Sequence, residues 1–531
     1  MARTAQSADI PSLGPLDRAA GQLSRQLAQA LRDAIRRGDL RPGEPLPASR
    51  QLAAALGLAR GTVIEAFEQL VAEGFLVARG RTGTWVAPAL SMPGEGAASG
   101  AQARHEAVSS GAGRGDAPKA AEPVPAVPGL PAAAVPPRRL PAAAATFAAV
   151  AADFEPLPPI PFAVSVPGGP TLPDAAWRRL GNRLRARGAA APSGYGDTRG
   201  VGPLREAIAD YVRRSRSVRC DAAQVIVTTG TQQGLYLACQ VLLDAGDRAW
   251  IENPAYRGIT AILESTGRRD AIVRVPVDAE GLDVDAGRRL APGARAAFVT
   301  PSHHYPLGMP LSVGRREALL DWARSHDAWI VEDDYDSELR YAGHPFPAMQ
   351  GLDPARVVYL GTFSKILFPS LRLGYAIVPP DLVAAFRGAR VLMDRHPPEA
   401  DQHVLAAFMG EGHLDRHIRR VRGVYAARRA RLIETLDAAL PAELARREPS
   451  DQGMHLVLWL AAGFDDRRVA ALALAAGVAV RPVSPMYAAG TARPGLVLGF
   501  GGFDEARMAA AARTLAAVIV AAARDGTAQA G

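Results

Sequence analysis

Lys365 stands out by chemistry and by scarcity. Of the 61 basic side chains in 531 residues, only Lys119 and Lys365 are lysines. A neutral amine can attack an aldehyde, which a guanidinium cannot do. Lys365 lies in GTFSKILFPSLRLGY (361–375), directly after the apolar run RVVYL. Thr362 and Ser364 bring hydroxyls beside it. Arg372, seven residues on, offers a bidentate contact to a phosphate. A second segment, VEDDYDSELRY (331–341), continues the apolar run AWIV. Its Asp333, or Asp334 in its place, can keep a ring nitrogen protonated, and Tyr335 can donate to a ring oxygen. A third segment, GTQQGLYLA (230–238), follows QVIVTT. Gly230, Thr231 and Gln232 thus fall at a helix N-terminus, where free N–H groups and the helix dipole favour a phosphate. Amine, acid, phenol and phosphate cradle are what pyridoxal 5′-phosphate (PLP) asks of a protein. The expected link is a Schiff base on Lys365.

The elements that must position these groups are legible around them. From about residue 162, apolar runs (QVIVTTG, RAWIEN, RAAFVTP, AWIVEDD, RVVYLGT) alternate with helical stretches. That alternation predicts an α/β domain over 162–525 with a mainly parallel sheet. All the candidate residues then sit at carboxyl ends of strands, where open α/β sheets bind ligands. From about 440 the pattern predicts a smaller α/β subdomain. Residues 88–161 are rich in Ala, Pro and Gly and include VPAVPGLPAAAVPPRRLPAAAA. Such a stretch reads as a linker, and Lys119 within it carries no chemistry of its own.

Residues 12–87 predict a separate module. Leu23, Leu27, Leu31 and Ile35 recur at helical spacing, and Gly38 closes that helix. ASRQLAAALG predicts a second helix with Ser49 as its cap. ARGTVIEAFEQLVAEG predicts a third, and FLVARGRTGTWVA a hairpin. This is a winged helix–turn–helix. Arg60 and Thr62 then start the helix that enters the major groove, with Arg50 reaching phosphate and Arg79 and Arg81 on the wing.

Composition sets outer bounds. A net charge of +8 and a pI near 9.8 suit an anionic partner without naming it. Cys220 and Cys239 are too few for a disulfide framework or a cysteine metal site. MARTAQSADIP lacks an apolar leader, and no long apolar run predicts a membrane span. A cytoplasmic protein is expected, with no metal.

LPASRQLAAALGLARGTVIEAFEQLVAEGFLVARGRTGTWV resembles the winged-helix domain of the GntR family. The resemblance implies that Ser49, Arg50, Arg60, Thr62, Arg81 and Gly83 match positions that meet DNA. The Lys365, Asp333 and Tyr335 segments resemble fold type I PLP enzymes, the aspartate aminotransferase superfamily. There GYGDTRGVGPLR (194–205) matches a dimer-interface segment, implying that Tyr195 reaches a neighbouring subunit's cofactor phosphate. ENPAYRGI (252–259) implies that Tyr256 lies near the ring. TPSHHYPLG (300–308) matches a segment supplying a ring-oxygen contact. The order of the parts resembles the MocR/GabR subgroup of bacterial transcription regulators. That resemblance implies a homodimer reading an operator with two half-sites, and an amine or amino-acid effector, or PLP itself, as signal through the Lys365 aldimine. An active aminotransferase with an accessory DNA-binding domain is the alternative. Two departures from the aminotransferase pattern stand out. Tyr305 replaces an asparagine, leaving His303 or His304 as candidates for its contact. Val497 occupies the position of a carboxylate-binding arginine, leaving Arg481 or Arg493 to serve instead.

Overall fold

The computed structural model describes residues 13, 16–18, 21–79, 83–88, 141–155, 157–167, 173–186, 188, 194–343, 345–448 and 450–529. The chain divides into two compact units, Met1–Pro128 and Gly129–Gly531.

The first unit contains helices α1 (Leu23–Arg37), α2 (Ser49–Leu56) and α3 (Arg60–Ala72) and strands β1 (Leu76–Ala78) and β2 (Thr84–Val86). The strands pair antiparallel, Leu76 opposite Val86. Leu27, Leu31, Leu52, Val63, Phe67 and Leu70 are buried together beneath the hairpin. Gly38 and Gly57 take left-handed backbone conformations at the ends of α1 and α2, which glycine adopts without a side-chain clash. Ser49 does not cap α2 as expected. Ala48 holds that position, and the Gln51 side chain accepts from its N–H at 3.3 Å. The Ser49 hydroxyl instead accepts from Arg60 Nε at 3.4 Å, tying the starts of α2 and α3.

The second unit opens with a difference from expectation. Within the stretch read as a linker, α4 (Ala142–Asp153) is a twelve-residue helix. Its alanine run has the highest intrinsic helix propensity, which outweighs the surrounding prolines. Helices α5 (Asp174–Ala186), α6 (Gly202–Arg216) and α7 (Thr231–Leu242) follow. The large sheet comprises β3 (Val225–Thr228), β4 (Ala249–Asn253), β5 (Ile272–Asp278), β6 (Gly281–Leu282), β7 (Ala296–Val299), β8 (Trp329–Asp334), β9 (Val357–Thr362) and β10 (Gly374–Ile377). Its order is β3-β10-β9-β8-β7-β4-β5-β6. Strands β5, β4, β7, β8 and β9 run parallel; β10 is antiparallel to both β9 and β3. It follows that β3 shares the direction of β9. The carboxyl ends of β3, β9, β8, β7 and β4 therefore converge on one edge. Both faces of the sheet are covered, which explains why these strands read as unbroken apolar runs.

The smaller sheet contains β11 (Ala445–Arg447), β12 (His455–Leu460), β13 (Arg481–Pro482) and β14 (Gly495–Gly499), in the order β11-β12-β14-β13 and antiparallel throughout. The helix Glu505–Gln529 is the one described helix long and apolar enough to cross a membrane. Its Met508, Ala512, Leu515 and Ile519 are buried in the core with Val421, Tyr425 and Leu432 of the helix His413–Ala439.

Candidate functional site: a lysine-bearing cavity and a winged helix

A cavity of about 240 Å³ opens at the convergent strand ends. Thr231, Asp333, Tyr335 and Lys365 form its floor, with Tyr256 and Tyr305 beside them. Strand alternation separates the two candidate acids. Successive side chains on β8 point to opposite faces. Asp333 faces the cavity. Asp334 faces away and accepts from Arg216 Nε at 2.8 Å and from the Tyr359 hydroxyl at 2.5 Å. Asp334 is thereby removed as the ring-nitrogen partner. Asp333 Oδ1 is buried with no hydrogen-bond partner. An unpaired buried carboxylate oxygen is costly, and a protonated ring nitrogen would satisfy it. Burial, followed by the charge of Asp334, pushes the Asp333 carboxyl up to about 7, against the pull of Lys365.

Lys365 leaves the end of β9. Burial lowers its amine to about 8, although Asp336 and Asp333 favour the charged form. A substantial neutral fraction near neutral pH is what a nucleophilic amine needs. Its neighbours divide their work. Ser364 Oγ is buried without a partner, while the Thr362 hydroxyl is spent within the loop, donating to the Leu373 carbonyl and accepting from the Ser364 N–H.

The anion cradle forms at the start of α7. Gly230 has φ 102°, and a Cβ there would stand 3.7 Å from both terminal nitrogens of Arg372. The Arg372 guanidinium thus lies over the same helix N-terminus that sequence assigned to a phosphate. The Gln232 side chain serves differently, accepting from the Tyr256 hydroxyl at 3.0 Å. Together, the unpaired Asp333 oxygen, the Lys365 amine and this cradle fit PLP.

Tyr335 has a support that spacing did not reveal. Its hydroxyl lies 3.1 Å from His303 Nδ1, which is 3.0 Å from Asp336 Oδ1. The carboxylate fixes the proton on Nδ1. The Tyr335 oxygen shares that single N–H with Asp336 in a three-centre contact, which leaves the phenol proton free to point into the cavity. His303 therefore acts behind Tyr335 and not as a direct ring-oxygen contact. His304 is also excluded: its Nδ1 accepts from the Leu307 N–H, and burial lowers its ring to about 3. Tyr305, in the same segment, does border the cavity and meets Tyr256 edge-on at 6.0 Å.

The rim draws on parts that sequence reading missed. Asp153 and Phe154, at the end of α4, line the cavity. Asp153 pairs with Arg257 at 2.8 Å, and Phe154 meets the Tyr256 ring edge-on at 6.3 Å. The only signal was an aspartate and a phenylalanine closing an alanine run. Tyr195 is 80% exposed, with the Arg395 guanidinium 4.6 Å from its ring centre, and lies outside the cavity. Val497 is buried in an apolar cluster.

In the first unit, Arg50 and Arg60 are exposed at the starts of α2 and α3, and Thr62 is half-buried within the first turn of α3. Arg79 is exposed on the wing, over the Trp85 ring at 5.2 Å. Gly83 has φ 102° in the wing turn, a conformation that favours glycine. Arg81 lies outside the described residues.

A winged helix and a fold type I aminotransferase-like domain in one chain define a two-part, PLP-type protein. Residues 160–513 match the family profile for aminotransferase class I and II, and residues 23–86 that for bacterial regulatory proteins of the gntR family. The chain is 36% identical to the probable rhizopine catabolism regulatory protein MocR of Rhizobium meliloti, over 92% of this chain and 91% of that protein. It is 33% identical to the pyridoxine biosynthesis transcriptional regulator PdxR of Corynebacterium glutamicum, over 94% and 96%. Among solved structures, LysN, an α-aminoadipate aminotransferase of Thermus thermophilus complexed with N-(5′-phosphopyridoxyl)-L-leucine, matches with a TM-score of 0.64. That match has 28% identity over 70% of this chain and 94% of LysN. The chain belongs to the MocR group of GntR-family regulators. Its head is a DNA-binding module, and its second unit is a PLP domain.

Proposed function

We propose that this protein is a cytoplasmic transcription regulator whose DNA binding answers to PLP and to an amine or amino acid in the Lys365 cavity. The observation that carries the reading is the presence, in one chain, of a winged helix with exposed Arg50 and Arg60 and a cavity where Lys365 meets Asp333.

Bound there, PLP supplies an aldehyde and an electron-withdrawing ring. Lys365 is its attachment point. Asp333 would hold the ring nitrogen, and Tyr335, backed by His303 and Asp336, would donate to the ring oxygen. The α7 N-terminus from Gly230 to Gln232, with Arg372 and Ser364, would take the phosphate; Thr362 shapes the loop that carries Ser364. Tyr256, which lines the cavity, would pack beside the ring. Exposed Tyr195 belongs to a homodimer contact, reaching the partner's cofactor phosphate. Two heads, each residues 12–87, then read two half-sites through Ser49, Arg50, Arg60, Thr62, Arg79, Arg81 and Gly83.

An amine entering the cavity would meet the aldehyde beside Lys365, whose amine would then be set free. Such a ligand regulates only if it binds one conformation better than another. Among the described residues of 88–161, the end of α4 lines the cavity and could feel its occupancy. The effector domain proper, 162–525, thus shares its site with the chain leading back to the head.

The test pairs Lys365→Ala with footprinting on double-stranded DNA around this protein's own gene. The expected result is protection at two half-sites, altered by amines in the wild type and unaltered in the variant. The variant should also lose the visible absorbance of covalently held cofactor. Absence of any protected site, or steady turnover of an amino acid with a keto acid, would overturn the reading in favour of an aminotransferase.

A further inference from the structure

Asp333 and Tyr335 stand on either side of Asp334, and the ring behind Tyr335 belongs to His303, which follows Ser302. One buried side chain grips both Asp334 and Ser302. Arg216, the last residue of α6, is only 2% exposed. Its Nε donates to Asp334 Oδ2 at 2.8 Å, and its Nη2 donates to Ser302 Oγ at 2.6 Å. Its Nη1 donates to the Phe346 carbonyl, and its own carbonyl accepts from the Ala348 N–H at 2.9 Å.

Electrostatics and shape both favour this arrangement. A cation is stabilised at the C-terminal end of a helix. Once buried, a guanidinium needs a counter-charge and acceptors for its N–H groups. Asp334 is the acid paired with it among the described residues. Glu332, two residues back on β8, is occupied by the Met349 and Gln350 N–H groups, each at 3.1 Å. The planar fork sends three nitrogens to three separate segments, a geometry that an ammonium on a flexible stem does not reproduce. The spacing it sets matters one residue further along two of them. Ser302 leads into His303 and Asp334 into Tyr335, and the His303 ring meets the Tyr335 hydroxyl at 3.1 Å. Neither Arg216 nor Ser302 lines the cavity, so both act through these neighbours.

We propose that Arg216 is a positioning residue for the cofactor: by clamping Ser302 to Asp334 it holds His303 against Tyr335 and keeps the Tyr335 proton aimed at the ring oxygen. The inference rests on the cofactor placement above and adds to it a residue that touches neither the cofactor nor the cavity.

The experiment follows the absorbance of PLP bound to the full-length protein as pH is varied. A donor to the ring oxygen favours its ionised form. Tyr335→Phe should therefore move the absorbance midpoint up by about one pH unit, the size of one hydrogen bond. Ser302→Ala cuts one arm of the clamp and leaves the Arg216–Asp334 pair intact. It should move the midpoint the same way by about half a pH unit, and no further once Tyr335→Phe is already in place. Arg216→Lys, which keeps the charge and loses the fork, should behave likewise. Lowered stability to denaturant with an unmoved absorbance midpoint overturns the proposal, as does an equal shift with and without the Tyr335 hydroxyl. Should Arg216→Lys fail to fold, Ser302→Ala alone decides it. If Tyr335→Phe itself leaves the midpoint in place, the cofactor placement is wrong and the proposal falls with it.

Discussion

The floor and the rim of the Lys365 cavity are built on different principles. The floor consists of loops leaving the ends of parallel strands, and it is braced from behind by buried groups at two points. Tyr335 leans on His303 and Asp336, and beside Asp333 the buried trio of Asp334, Arg216 and Tyr359 locks the end of β8. The rim is assembled from distant pieces: the end of α4, the Arg257 turn and strand β13 of the smaller sheet. Its side chains are half-buried or exposed; Asp153 meets Arg257 in an ion pair, and Phe154 meets Tyr256 by a ring edge. A rigid floor suits a cofactor that stays; a looser rim suits a ligand that comes and goes and must be felt elsewhere.

The sharpest way to break this contrast is at the buried pair. Asp334→Asn leaves the Arg216 guanidinium buried without its counter-charge, which costs about 3–5 kcal/mol. Denaturant unfolding should show the loss, and the neighbouring Asp333→Asn should show little of it while weakening PLP binding. Equal destabilisation by both would mean that the two faces of β8 are not divided in this way.

Cofactor capture by the apoprotein should depend on pH with a defined sign. Capture needs the neutral Lys365 amine, and burial lowers that amine to about 8. Below that value the neutral fraction falls about tenfold per pH unit, so capture slows on acidification and levels off above it. Stopped-flow absorbance reads the rate. A rise continuing toward the ordinary lysine range would show that burial does not tune the amine.

The smallest effect is expected at the rim. Phe154→Ala removes one edge-on aromatic contact with Tyr256, worth about 0.5–1.5 kcal/mol. The cofactor absorbance should be unchanged, while the amine-induced change in DNA binding is reduced. An unaltered DNA response would detach α4 from signalling.

Local chemistry made much of this protein legible before any fold was known. The winged helix showed in helical periodicity and glycine stops, and the large sheet in apolar runs that follow from burial on both faces. One of only two lysines in an arginine-rich chain marked the reactive amine, because that residue type can do the chemistry and arginine cannot. The cap of α2 was misassigned by one residue, since Gln51 reaching back to Ala48 is a side-chain event that a serine nearby conceals.

What sequence left open were choices between neighbours. Asp333 and Asp334 are the same residue type in adjacent positions, and only the pleat of β8 decided which one faces the cavity. His303, His304 and Tyr305 were sorted by which ring borders the cavity and which is held by Asp336 or Leu307. Arg481 and Arg493 were sorted by strand pairing: one lies across from Val497 and lines the cavity, the other is stacked on Trp459. The alanine helix at the rim was hidden because its composition matches a linker, and its role depends on where the chain docks. Sequence determined which chemical groups this protein carries. Tertiary structure decided which of them meet, because strand pleat, register and docking bring together residues hundreds of positions apart.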